Sequence, residues 1–254
     1  MPTHAASAWD GLSRPRPADL RGPAYDVASL APPRHKLLIC AAPRSSSKRL
    51  ARLLLGAGLG VPMEYFNETS IGPLCTRWQI QRRHYLAQLY ARRSANGIFA
   101  SNLQHAQIEA WPYRQDFEEL FANAVVVHLI RLDKTAQAAS LAASLLTGEW
   151  GFDEPASCPE YSGREMKRAA RQAWAIIAAD DERLQTAFNR LHVDPIRIMS
   201  DEVNRADLTV VADLAARLDT AFDRAGAERM LQHDRGPYRG YEALKSKLRE
   251  YLPQ

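Results

Sequence analysis

The chain has 254 residues, 46% of them apolar and 24% charged, and a formal charge of +4 from 33 basic and 29 acidic side chains. That length suits one large α/β domain or two small ones, and the composition is that of a soluble globular protein. A charge this mild favours anionic ligands only weakly and does not point to nucleic acid. Cys40, Cys75 and Cys158 are far apart, with no C-x-x-C spacing. They read as cytosolic thiols rather than a disulfide framework or a zinc site. No charged leader with an apolar core opens the chain and no long apolar run follows. The expectation is a cytoplasmic protein without signal peptide or membrane span.

Residues 1–34 carry Pro2, Pro15, Pro17, Pro23, Pro32 and Pro33 and show no helical or strand periodicity. They read as a Pro-rich arm, either disordered or draped over a single domain formed by residues 35–254. KLLICAAPRSSSKRLARLLL, Lys36–Leu55, then reads as a buried strand, a small polar loop and a helix. A strand that turns straight into a helix aims free N–H groups and the positive end of the helix dipole at one point. Arg44, Ser45, Ser46, Ser47 and Lys48 could add side-chain donors to such a phosphate cradle; an ordinary strand-to-helix turn capped by Ser fits the same residues. The Walker pattern is absent, because no Gly occurs between Leu37 and Leu55.

Gly56–Gly60, GAGLG, ends that helix. It follows a helix rather than a strand, which excludes a dinucleotide fingerprint. In VPMEYFNE, Glu64 precedes Tyr65 and Phe66. A carboxylate against aromatic surface can act as a general base; a surface Glu at a turn is the plainer reading. Cys75–Arg93 reads as one helix with a basic face. Gly97–Leu103 reads as a strand, Ala106–Phe121 as one helix or two broken near Pro112, and Ala124–Ile130 as a strand buried on both faces. Arg131 follows at its carboxyl end, and Asp133 can cap the next helix. Ser140 lies within that helix, either as a further hydroxyl donor or bonded to its own backbone. Arg164–Arg190 is a long amphipathic helix, Pro195–Met199 a short strand and Asp207–Arg224 another helix; a basic helix closes the chain. The repeating β-α order predicts an α/β fold with a mostly parallel sheet flanked by helices.

Three segments resemble the bacterial sulfotransferases typified by trehalose 2-sulfotransferase, also called lipopolysaccharide sulfotransferases. APRSSSKRLARLL resembles the R-S-G-S-T donor loop and GVPMEYFNE resembles G-E-P-x-E-[YF]-F. RLDKTAQAASLAASLLTGEW is similar to R-x-D-x-x-x-Q-A-x-S followed by T-G-x-W, with Arg131, Asp133, Gln137, Ala138, Ser140, Thr147, Gly148 and Trp150 at the family spacing. Weaker similarity covers roughly residues 36–234. The resemblance implies a P-loop-like sulfotransferase fold and transfer of a sulfuryl group from 3′-phosphoadenosine 5′-phosphosulfate to a hydroxyl of a carbohydrate, glycolipid or other small metabolite. It implies that Arg44, Ser45, Ser46, Ser47 and Lys48 hold the 5′-phosphosulfate, and that Arg131 and Ser140 hold the 3′-phosphate. Glu64 becomes the general base, with Arg44 and Lys48 stabilising developing charge and no metal required. Relatives are often dimers, so a homodimer is an expectation, although no interface signature stands in the sequence. Acceptor contacts are expected from Asn67–Arg77 and Gly151–Tyr161.

The departures fall around the donor site. Ser46 replaces the family Gly and Lys48 the family Thr. Val61 stands where the family has its first Glu, and Asn102 where relatives carry Lys. Leu231 replaces an Arg for which Arg229 or Arg235 is a substitute. A Ser forced to positive φ would carry about 1–2 kcal/mol of strain. These changes also suit a catalytically altered relative that binds a nucleotide or anionic ligand without sulfuryl transfer. A kinase of the same broad fold is disfavoured by the missing Walker Lys-Ser/Thr pair.

Overall fold

The computed structural model describes residues 20–27, 31–150, 160–205, 207–233 and 241–253. Its centre is β1, His35–Ala41, in which Leu37, Leu38, Ile39 and Cys40 have no exposed surface. Side chains alternate between two cores. Leu37, Ile39 and Ala41 meet Leu50 and Leu54 of α1 (Ser47–Gly56), while Leu38 and Cys40 meet an aromatic cluster that includes Phe66, Tyr85, Phe99 and Phe117. A strand covered on both faces has no polar side, so its sequence is an unbroken apolar run. Burial of Leu37, Leu38 and Ile39 contributes about 1.5–3 kcal/mol each.

Three strands join β1: β2 (Ile98–Leu103), β3 (Val125–Ile130) and β4 (Ile196–Met199). All pairings are parallel, in the order β2-β1-β3-β4. The α/β, parallel-sheet expectation is therefore met, with each strand within a residue or so of where the apolar runs put it. The chain leaves β1 for β2 on one side and then crosses back to β3 on the other. Ligands in open parallel sheets lie outside the carboxyl ends of the strands at such a reversal, here β1 and β3.

Between β1 and β2 the structure departs from the expected single helix over Cys75–Arg93. There are two helices, α2 (Glu68–Trp78) and α3 (Tyr85–Arg93), joined through Gln79 in the left-handed conformation. The helix begins earlier because the Asn67 side chain caps it, accepting from Thr69 N at 3.0 Å. Gly72 and Pro73 sit inside α2, where Pro73 removes one backbone bond. Asn67–Arg77, expected to supply acceptor contacts, is thus mostly helix. Of the second acceptor stretch, residues 151–159 lie outside the described residues.

After β2 come α4 (His105–Ala110) and α5 (Arg114–Phe121), broken at Pro112 as anticipated. Helix α6 (Lys134–Thr147) follows β3, and Asp133 caps it by accepting from Ala136 N at 2.8 Å. Helix α7 (Gly163–Arg190) opens with a Ser162–Glu165 capping box. The expected helix over Asp207–Arg224 is shorter. After α8 (Ser200–Asn204), α9 spans Thr209–Arg217 and ends near Asp219, whose φ is 46°. A separate α10, Arg224–His233, begins where the Asp223 carboxylate accepts from Gly226 N. Gly226 and Gly56 bring α10 and α1 into contact: a Cβ on Gly226 would lie 2.2 Å from the Gly56 carbonyl oxygen. The last element is α11, Glu242–Arg249.

Part of the Pro-rich arm is docked. Arg93 is wholly buried, and its guanidinium donates to the carbonyls of Leu20 (2.7 Å), Arg21 (3.2 Å) and Gly22 (3.4 Å). Its Nε lies 3.1 Å from Asp26 Oδ1, and Arg77 and Trp78 donate to the same carboxylate. The basic face expected on Cys75–Arg93 is therefore largely engaged. Arg82 pairs with Glu68 and lies over Trp111, while Arg93 is enclosed between Tyr65 and Trp78.

A second buried polar cluster joins β3 to α7. His128 is 3% exposed, its Nε2 is 3.8 Å from Asp181 Oδ1, and Lys134 pairs with Asp181. Asp180 Oδ2 has no hydrogen-bond partner among the described residues. Burial, with the neighbouring Asp181 charge second, pushes the Asp180 carboxyl up from 3.8 to about 6. Folding thus favours its protonated form. That stability is fully present below the ordinary value and is lost as pH rises through about 6. Asp180→Asn is expected to stabilise the protein by roughly 1–3 kcal/mol at pH 8 and by nothing measurable at pH 4. Thermal melts of both proteins at the two pH values test this; an equal shift at both would remove the buried charge as the cause.

Candidate active site

The loop from β1 to α1 is tightly wound. Arg44 and Ser46 have φ of 67° and 69°, left-handed values that only glycine adopts without cost. The strain expected at Ser46, where the family has Gly, is therefore present, on the order of 1–2 kcal/mol. The Ser45 hydroxyl is buried and donates to the Ala42 carbonyl at 2.7 Å, so it shapes the loop. Gln137 Nε2 donates to the Pro43 carbonyl at 2.7 Å and ties the loop to α6. The N-terminus of α1, at Ser47, follows this loop directly, so the positive end of the helix dipole lies beside it.

Around this loop the structure brings together residues far apart in sequence. Arg44 Nε donates to Ser140 Oγ at 2.9 Å, and Arg131 donates to the Arg44 carbonyl at 3.2 Å. Arg44 and Lys48 both donate to the Trp150 carbonyl, at 3.3 and 3.1 Å. Trp150 itself is 47% exposed, and Leu132, beside Arg131, is 69% exposed. Burial lowers the Lys48 pKa; the Glu64 carboxylate opposes the shift, while Arg44 and Arg52 reinforce it. Lys48 and Glu64 are thus within electrostatic reach of one another. Burial likewise lowers the Arg131 pKa, opposed by Asp133 and Asp201 and assisted by Arg249. Desolvated cations of this kind gain most from a bound anion.

Glu64 stands on an extended segment that continues the edge of β2. Met63 bridges Ser101, and its carbonyl accepts from Asn102 N at 2.9 Å. Tyr65 is wholly buried, donating to the Val61 carbonyl at 2.8 Å, and burial pushes its hydroxyl up to about 12. The Glu64 carboxylate is half-buried. Its Oε2 accepts from Asn67 at 3.2 Å and from Gln107 at 3.3 Å. No donor to Oε1 occurs among the described residues. Gln107 is itself fixed, since its Oε1 accepts from the Gln104 N–H at 3.2 Å.

Asn67, Gln107 and Gln137 hold the site without having been assigned a role from the sequence. The Gln104-x-x-Gln107 spacing at a helix start was the only local hint of Gln107. Arg229 does not substitute for the missing Arg: it lies on α10, 3.8 Å from Asp223, and that helix packs against the far end of α1 from the donor loop. Leu231 packs into the core on that side, and Arg235 lies outside the described residues. Among the described residues, no group of three His, Cys, Asp or Glu could hold a metal ion, and no helix is long and apolar enough to cross a membrane.

No curated protein matches the chain. The model of the Stf0 sulphotransferase family matches residues 92–235, which takes in β2, β3, Arg131, Ser140 and α7 and leaves the Arg44–Lys48 loop and Glu64 on its N-terminal side. That match spans more than half of the sequence and runs through the parallel sheet that carries the site, and the chain belongs to the Stf0 sulphotransferase family, whose chemistry is sulfuryl transfer.

Proposed function

We propose that the protein transfers the sulfuryl group of 3′-phosphoadenosine 5′-phosphosulfate to a hydroxyl of a carbohydrate, glycolipid or other small metabolite, with Glu64 as general base. The observation that carries this reading is the Arg44–Ser140 hydrogen bond, 2.9 Å long, at the β1/β3 edge with Arg131 attached to the same loop. The donor set fits the nucleotide. Its hard anionic ends call for guanidinium, ammonium, hydroxyl and helix N-terminal N–H groups, and those are the groups gathered there.

In the proposed reaction, Arg44, Ser46, Ser47, Lys48 and the α1 N–H groups hold the 5′-phosphosulfate, with Ser45 bracing the loop. Arg131 and Ser140 hold the 3′-phosphate. The acceptor oxygen attacks sulfur in line with the bond to the 5′-phosphate. A new S–O bond forms, the bond to the phosphate oxygen breaks, and the acceptor proton passes to Glu64 Oε1. Arg44 and Lys48 take up the charge that develops on the departing phosphate. Positioning and charge stabilisation by these side chains supply the catalysis.

Ser46 and Lys48 favour one second reading. A strained side chain replaces Gly in the loop, and a full cation reaches the Trp150 carbonyl. A nucleotide-binding relative without transfer activity would tolerate both changes. Titration calorimetry with 3′-phosphoadenosine 5′-phosphate, followed by turnover assays with the sulfated donor and a panel of hydroxyl acceptors, separates the two. Binding without turnover on any acceptor favours the second reading; no binding removes both.

Arg131→Ala is expected to weaken 3′-phosphoadenosine 5′-phosphate about 10–100-fold, the loss of a charge-assisted contact. Adenosine 5′-phosphate should weaken by less than about threefold. Equal loss for the two ligands would take Arg131 out of the 3′-phosphate role.

A further inference from the structure

Helix α11 lies beyond the residues that match the family model. Its sequence, EALKSKLR, looks like an ordinary basic amphipathic helix. Leu244 and Leu248 join Ala42, Ala138, Ala139, Leu141 and Ala142 in one core cluster. Ala42 is the first residue of the donor loop, and Ala138 and Ala139 immediately precede Ser140. The apolar stripe of α11 therefore seats the helix directly behind the loop and the Ser140 turn. Glu242, Lys245 and Arg249 recur at i, i+3 and i+7, so they lie along one adjoining face.

Lys245 is the unusual member of that face. It is 8% exposed, whereas surface lysines keep their ammonium in water. Its Nζ donates to Glu242 at 3.0 Å. Burial lowers its pKa, Glu242 opposes this, and the positive charges of Arg44 and Arg131 add to it. Arg131 in turn feels Glu242 and Arg249. The Glu242 carboxylate pairs with Lys245 and is also felt by Arg131. Desolvated cations gathered in this way repel one another in the ligand-free protein, and a multiply charged anion relieves the repulsion.

We propose that Lys245 is a third cation of the 3′-phosphate subsite, joining Arg131 and Ser140 from the C-terminal helix. The assignment rests on the donor reading above and extends it to a residue outside the family match. It also makes the docking of α11 a condition for telling a 3′-phosphorylated nucleotide from a plain one. Glu242 holds the ammonium in place.

The test is calorimetric titration of the full chain with 3′-phosphoadenosine 5′-phosphate and, separately, adenosine 5′-phosphate. Lys245→Met retains the buried stem and removes the charge; Lys245→Gln is the second variant should the first not fold. The expected result is a rise of about 10–100-fold in Kd for the bisphosphate, with adenosine 5′-phosphate changed less than about threefold. A wild-type protein that prefers the bisphosphate and a folded variant that prefers it equally would overturn Lys245 alone. A wild-type protein that binds the two nucleotides equally would overturn the 3′-phosphate subsite and this assignment with it.

Discussion

Glu64→Gln is expected to lower kcat by about 10²–10⁴-fold while nucleotide affinity changes little. The carboxylate is held from one side, by Asn67 and Gln107 on Oε2, so the isosteric amide can occupy nearly the same position. What the substitution removes is the ability to accept a proton. In the proposed reaction the nucleotide is held by the loop after β1, Arg131 and Ser140, and Glu64 is not one of its contacts. Steady-state rates with a working acceptor, together with calorimetric titration of 3′-phosphoadenosine 5′-phosphate, provide the two readouts. Matched losses in rate and affinity would make Glu64 a structural residue. A rate that survives the change would place the proton acceptor elsewhere.

Arg93→Ala is expected to destabilise the fold by about 3–5 kcal/mol. The guanidinium is fully enclosed and satisfies three main-chain carbonyls of the docked arm while pairing with Asp26. Truncation leaves those carbonyls unsatisfied and opens a cavity beside Tyr65 and Trp78. Arg77 and the Trp78 indole still contact Asp26, which keeps the loss toward the lower end of the range. Urea denaturation measures the loss. A change under about 1 kcal/mol would mean that the docked arm contributes nothing to stability. Tyr65, which packs against Arg93, directly follows Glu64, so loosening at Arg93 is expected to reduce activity as well.

The candidate site was legible wherever chemistry coincided with a local pattern. KLLIC marks a doubly covered strand because a buried strand has no polar face to show. Arg44–Lys48 stands out because a small, hydroxyl-rich loop between a strand and a helix can cradle an anion, although a Ser-capped turn fits the same residues. Arg131 and Ser140 stood out through a long motif rather than through periodicity. Gln107 and Lys245 were not legible, since one amide or one lysine at helical spacing resembles any solvated residue. Their contacts reach Glu64 and the surroundings of Arg44, which are distant in sequence. Arg93 misled for a related reason: a basic helix face reads as solvated until an acidic partner, here Asp26 in the arm, covers it. The helix over Glu68–Trp78 begins before the expected Cys75 because capping by Asn67 and packing of Ile71, Leu74 and Trp78 hold a turn that contains Gly72 and Pro73.

By itself, the sequence determined the strand positions and the helices after β1 and β3 and singled out candidate anion-binding residues, because those depend on side chains close together in the chain. Only the tertiary structure decided that β1 lies between β2 and β3, which brings the Arg44 loop and Arg131 to one edge. It also decided which charges are buried, and therefore which cations an anion would relieve. Burial follows from how helices such as α11 pack across the sheet and against α6. That packing is set by apolar surfaces that pair only once the strand order is in place, so no local stretch of residues records it.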